Sequence, residues 1–218
     1  MTAPQNTAGD LADSSQQAKA ALRAAMRARR ASLTSGELAE AGAAVTRRLL
    51  NMPEVAEARL VGAYRAVRGE VPVDSLAAQM CQATLTVPRV VGDRLEFVVW
   101  QAGQEFVNGS FGIAEPLDGE VTDFAAHDLV LVPLVAFDSR CRRLGQGGGF
   151  YDRALADLQA CLATEPTEPT EPTSRPIVVG VAHWFQSVAQ VPVEPWDVTL
   201  DAVVTDRELL ISQNGRLM

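Results

Sequence analysis

The sequence predicts an α/β fold, a mostly parallel β-sheet flanked by helices, on three observations. Short apolar segments rich in β-branched residues alternate with helical patterns along most of the chain. Two of them, 128–137 (DLVLVPLVAF) and 177–182 (IVVGVA), are nearly continuous apolar runs, the pattern of strands covered on both faces. A glycine cluster, Gly145, Gly147, Gly148 and Gly149, stands between the first run and a helical segment, where a tight strand-to-helix turn is needed.

Each element follows from local chemistry. Residues 1–14 are small and polar, cannot offset the entropy of ordering, and are expected to be a disordered tail ahead of one domain over 15–218. Residues 15–31 are rich in strong helix formers. A second helix starts after a cap at Thr34 or Ser35 and runs to about Asn51, ahead of Pro53. Strands are expected at 59–64, 84–90 and 95–100, with a helix over 74–82 between the first two. After the buried strand at 128–137 come a helix over 150–162, a strand at 177–182, and strands at 200–205 and 209–212, the last closing on Asn214-Gly215. Residues 164–173 read TEPTEPTEPT; a proline at every third position forbids a helix or a central strand, so 163–175 is expected to be a low-complexity solvated loop.

Composition narrows the function. At 218 residues, 47% hydrophobic and 21% charged, the chain can bury a real core. No apolar run is long enough to cross a bilayer, and the N-terminus lacks the basic and apolar regions of a signal peptide, so a cytoplasmic protein without membrane contact is expected. The three cysteines are odd in number and widely spaced, which suits reduced thiols. His127 and His183 are the two histidines, and both are expected to cap or pack; any metal is therefore a hard cation on oxygen ligands. A net charge of −8 argues against nucleic acid, yet Lys19, Arg23, Arg27, Arg29 and Arg30 cluster with no acid among them, as a bound anion would explain. Lys19, Arg23 and Arg27, spaced i, i+4, i+8, form one stripe; Arg29 and Arg30 are read as surface.

The glycine cluster is the most informative segment. Backbone N–H groups without Cβ interference, followed by a helix N-terminus, suit a phosphate, and Arg140, Arg142, Arg143 and Arg153 add charge. No Lys-Ser/Thr pair follows, so this is not a Walker A loop, and the third glycine of GxGxxG would fall on Phe150. A merely glycine-rich strand–helix turn remains the plain alternative.

LVPLVAFD at 131–138 followed by RRLGQGGGFYDRAL at 142–155 resembles the signature of the 5-formyltetrahydrofolate cyclo-ligase family. K-x-x-x-R-x-x-x-R at Lys19, Arg23 and Arg27, G-E-V at 69–71, and V-P-V-E-P-W-D at 191–197 with L-D-A-V-V-T after it match in the same order, so the resemblance covers about 17–210 apart from the TEP loop. It implies a fold like that of the NagB/RpiA/CoA-transferase group, and cyclisation of 5-formyltetrahydrofolate to 5,10-methenyltetrahydrofolate with ATP as co-substrate and Mg²⁺ as cofactor. It implies that Lys19, Arg23 and Arg27 reach the ATP phosphates, and that Arg143, Leu144, Gly145, Gln146, Gly147, Gly148, Gly149, Phe150 and Tyr151 cradle ATP. By the same resemblance Glu70 and residues 146–150 border the folate, Asp152 and Asp197 hold the metal, and Lys19, Arg23 and Arg143 act on the phosphoryl group. The partners are then small molecules, and a monomer is expected.

Each residue also has a plainer use. Asp152 suits helix-dipole compensation, Asp197 a turn, and Glu70 an exposed loop. Tyr64, Trp100, Phe111 and Trp196 could wall the pterin or simply fill core. Ser139, Arg140, Cys141 and Arg142 depart from a family glycine before R-L-G; Gln146 stands where an aromatic or basic residue is frequent, and Phe150 where tyrosine is. The competing functions are a non-catalytic ATP- or folate-binding relative, and a sugar-phosphate isomerase or acyl-CoA transferase on a related scaffold.

Overall fold

The computed structural model describes residues 8–101, 104–109, 112–163, 175–194, 197–213 and 215–217. Helix α1 (Ala8–Ala31) begins seven residues before the expected start at Ser15. Of the expected disordered tail, residues 8–14 thus belong to its first turns, and 1–7 lie outside the described residues. Helix α2 (Ser35–Leu50) starts at a reciprocal box in which the Thr34 side chain accepts from the Glu37 N–H and the Glu37 carboxylate accepts from the Thr34 N–H. Pro53 opens the short α3 (Pro53–Glu57), where its missing N–H costs nothing.

The strands are β1 (Leu60–Gly62), β2 (Thr84–Val91), β3 (Arg94–Val99), β6 (Val121–Thr122), β7 (Leu129–Pro133), β10 (Ile177–Ala182), β11 (Ala202–Thr205) and β12 (Leu209–Ile211). They form one sheet in the order β12-β11-β10-β7-β1-β2-β3-β6. The central five are mutually parallel, and β12, β3 and β6 are antiparallel at the edges. Two small hairpins stand apart: β4 (Phe106–Asn108) with β5 (Ala114–Pro116), and β8 (Ala136–Phe137) with β9 (Arg143–Leu144). Helix α4 (Asp74–Gln79) links β1 to β2, and α5 (Phe150–Ala163) precedes β10.

Strand alternation sorts the core onto two faces. Leu129, Leu131, Val179, Val181, Ala202 and Val204 pack with Val45 and Leu49 of α2 and Leu76 of α4. Val130, Val132, Val178 and Val203 pack on the other face with Leu155 of α5 and with Phe97 and Phe137. The apolar run expected as one strand over 128–137 breaks after Pro133, and its remainder turns into β8. Gln186, buried in a 3-10 turn after β10, donates to the carbonyls of Leu134 and Val135 at 2.8 Å each, so the break leaves these acceptors paired. The TEP repeat, 164–173, lies outside the described residues.

Strand order decides where a ligand can sit. From β1 the chain goes to β2 on one side, whereas from β7 it goes to β10 on the other. The crevice beyond the carboxyl ends of β1 and β7 is therefore a topological switch point, the usual ligand position in open α/β sheets.

Candidate active site

A cavity of about 640 Å³ lies there. The loop after β1 contributes Tyr64, Arg65, Arg68 and Glu70; β2 and β3 contribute Pro88, Val90 and Leu95; the β4–β5 hairpin contributes Glu115, with Ile113 just before β5. The segment after β7 closes it with Arg143, the four glycines, Gln146, Phe150, Tyr151 and Asp152. Gly147 and Gly149 have φ of 109° and 67°, a backbone that other residues adopt only with strain.

Helix α1 clamps this turn. Arg23 Nε donates to the Gly145 carbonyl at 2.9 Å. Arg27 donates twice to Gln146, through Nε to Oε1 at 3.1 Å and through a terminal nitrogen to the backbone carbonyl at 2.8 Å. Lys19, only 7% exposed, pairs with Glu194 at 3.2 Å and Asp197 at 3.5 Å. Burial and then the neighbouring Arg27 pull the Arg23 guanidinium below its ordinary value, while Asp197 and Asp152 push it back.

Glu70 is buried, contrary to the exposed-loop alternative. Its Oε1 accepts from Arg30 at 3.4 Å and from Gln146 Nε2 at 3.1 Å, and its Oε2 accepts from the Val67 N–H at 3.1 Å. Burial raises its carboxyl above the usual range against the pull of those donors. The surface reading of Arg30 is corrected: its side chain is wholly buried as the ion partner of Glu70. Arg68 and Gly69 have φ of 50° and 73°, and a Cβ at Gly69 would come within 2.5 Å of the Arg30 carbonyl, so glycine lets this loop close on α1. Arg29 stays exposed, its guanidinium 4.3 Å from the centre of the Phe185 ring.

Arg143 and Asp152 form a close pair at 2.6 Å, and Arg143 also donates to the Val198 carbonyl at 2.9 Å. Arg142 does not join the cavity. It binds Asp138, which also accepts from the backbone N–H groups of Arg140, Arg142 and Val191. The sequence departure at 139–142 therefore builds a self-contained turn. Arg153, outside the cavity lining, braces the turn by donating to the carbonyls of Asp93 and Gly148 at 2.9 Å each.

A model of the 5-formyltetrahydrofolate cyclo-ligase family matches residues 15–206. The chain belongs to the 5-formyltetrahydrofolate cyclo-ligase family. It is 36% identical over 188 residues to the 5-formyltetrahydrofolate cyclo-ligase of Escherichia coli K12, covering 83% of this chain and 96% of that one. The cyclo-ligase of Haemophilus influenzae is 31% identical over 186 residues, 82% of this chain and 92% of its own. The solution structure of the Aquifex aeolicus 5,10-methenyltetrahydrofolate synthetase superposes with a TM-score of 0.72 at 29% identity, covering 92% and 95% of the two chains.

Against the cyclo-ligase signature, the structure brings Arg27, Glu70, Arg143, Gly145, Gln146, Gly147, Gly148, Gly149, Phe150, Tyr151 and Asp152 around one cavity. Lys19 and Asp197 meet each other outside its lining, and Leu144 packs into a small cluster with Ala136, Val191, Leu22 and Met26. Tyr64 lines the cavity, its hydroxyl donating to the Val71 carbonyl at 2.6 Å. Trp100 does not; it lies 5.3 Å from the Arg65 guanidinium. Phe111 and Trp196 lie outside the described residues. His183 bonds the Gly69 carbonyl and His127 bonds Thr86, so both pack as expected. Sequence reasoning missed Arg30 and Glu115. Arg30 was legible: eleven residues make about three helical turns, returning it to the Lys19 face. Glu115, in Ala-Glu-Pro, carried no signal beyond that of a loop acid.

Proposed function

We propose that this chain closes 5-formyltetrahydrofolate to 5,10-methenyltetrahydrofolate while converting ATP to ADP and phosphate. The observation that carries the reading is the meeting of a buried carboxylate, Glu70, and the α1-clamped glycine turn on one cavity. Glu70 suits the donor edge of a pterin, which offers parallel N–H groups. The glycine turn, with Arg23, Arg27 and Lys19 alongside, suits a polyphosphate.

The formyl oxygen is a poor leaving group. Its attack on the γ-phosphate turns it into phosphate, which departs when N10 of the same folate attacks the formyl carbon. The protein's share of the first step is positioning and charge neutralisation by Arg143, Arg23 and Lys19. In the second step nucleophile and electrophile share one molecule, so the cavity contributes by holding the folate bent.

Among the described residues no three His, Cys, Asp or Glu side chains group to hold a metal by themselves. Asp152, on the cavity lining, and Asp197, beside Lys19 outside it, are the carboxylates that would hold a Mg²⁺ brought by the nucleotide, an ion that needs few protein ligands. When bound, Mg²⁺ supplies neutralisation of charge on the phosphates. The test is to mix the protein with 5-formyltetrahydrofolate and MgATP and follow the near-ultraviolet absorbance of the methenyl product. A rise that needs both ATP and Mg²⁺ is expected; no rise, with nucleotide still bound in calorimetry, would favour a binding relative.

A further inference from the structure

Beside Glu70 and Asp152 the cavity holds a third carboxylate, for which the reaction as described has no use. Glu115 stands on β5, is 6% exposed, and lines the cavity beside Ile113. Its Oε1 is buried without a hydrogen-bond partner among the described residues. A Cβ at position 109 would collide with this carboxylate, so Gly109 and the β4–β5 pairing leave just enough room to hold it. A buried carboxylate oxygen without a donor is costly, and such a group is kept where a ligand supplies the donor.

The other candidate acceptors around the cavity are committed. Glu70 accepts from Arg30, Gln146 and the Val67 N–H, and Asp152 is paired with Arg143. Burial pushes the phenols of Tyr64 and Tyr151 upward, so neither takes a proton as a phenolate near neutral pH. Ring closure, however, must shed the N10–H proton.

We propose that Glu115 is the proton acceptor of ring closure, an inference that rests on the cyclo-ligase reading above. The N10 lone pair forms the bond to the formyl carbon, and the N10–H proton passes to Glu115. The bond between that carbon and the phosphorylated oxygen breaks with its electron pair on oxygen. Glu115 hands its proton to the departing phosphate, which leaves as hydrogen phosphate, and the carboxylate is restored.

Glu115→Gln keeps the size and one acceptor oxygen but cannot take a proton, and calorimetric binding of ATP checks that it is folded. Its kcat is expected to fall on the order of 100-fold, with KM for both substrates within about 3-fold of the parent. In rapid-quench, about one ADP per site is expected in a burst before the methenyl absorbance rises, because only the second step is slowed. Glu115→Asp, which keeps a displaced base, is expected to show the same burst with a smaller loss of kcat, and it carries the test should Glu115→Gln not fold. An unchanged kcat would overturn the proposal, because phosphate would then take the proton unaided. So would a raised folate KM at constant kcat, or ADP and methenyl slowed together without a burst. A parent protein that forms no methenyl product would instead sink the cyclo-ligase reading on which the proposal stands.

Discussion

Burial raises the Glu70 carboxyl above its ordinary value, while the Val67 N–H, Arg30 and Gln146 act against that rise. The sign follows for both stability and binding. A carboxyl whose folded value is raised contributes stability in its protonated form below the unfolded value, and loses it as pH rises through the folded one. Ionised Glu70 is therefore a cost to the fold at neutral pH, one that the folate-binding role proposed above would account for. Folate binding should weaken on acidification through this raised value, at a higher pH than a solvated glutamate near ~4.3 would give. Arg30→Met should move that loss to still higher pH and, by leaving a buried charge unpaired, lower stability by about 3–5 kcal/mol. Folate titrations at several pH values, with urea unfolding of the same variant, check both; unaltered pH dependence would reduce Arg30 to packing. The carboxylate at Glu70 was legible only through the G-E-V resemblance. Its burial was not, because that depends on Arg30 coming from forty positions earlier in the chain.

Two elements hold the glycine turn. The α1 stripe uses two arginines to fix the carbonyls of Gly145 and Gln146. Arg27→Ala should loosen the turn and raise KM for ATP about 3- to 10-fold, while folate binding in the absence of nucleotide changes less; initial rates and calorimetry separate the two. The β8–β9 hairpin, which packs against Leu22 and Met26 of α1 and leads into the turn, is organised by Asp138. Burial would raise its carboxyl, but the Arg142 side chain and the Val191 and Arg140 N–H groups outweigh burial and hold it below the usual range. This contribution is present above the unfolded carboxylate value of about 3.9 and lost as pH falls through the lowered one. Asp138→Ala should cost about 3–5 kcal/mol in urea unfolding, as loss of one member of a buried pair does. Strands with strong patterns, such as 177–182, were read to the residue. The break in 128–137 was not, since an apolar run conceals a bend whose carbonyls are paired by Gln186 from 51 and 52 positions later. Nor was the β4–β5 hairpin, which is too short for a period to register.

The whole sheet explains why so much chemistry collects at one edge of the molecule. Strand order reverses between β1 and β7, so the segments after both strands emerge side by side and must fill the same crevice. Every charged side chain that lines the cavity enters from these two segments, from α1 lying across them, or from the small hairpin beside β2. The connection from α5 to β10 runs into the opposite, amino-terminal end of its strand, away from the carboxyl ends that frame the cavity. It carries the TEP repeat, whose residues offer no apolar side chain other than proline to pack. A loop of that kind contributes through its length alone, and loop-closure entropy depends only on the logarithm of length. Replacing residues 164–173 by a Gly/Ser segment of equal length should therefore leave kcat and both KM values within about 2-fold and stability within about 1 kcal/mol. Steady-state kinetics and urea unfolding on the replaced chain check this. A loss of turnover at unchanged stability would mean that the repeat contributes to the site, and a loss of stability alone that proline stiffening of the unfolded chain matters.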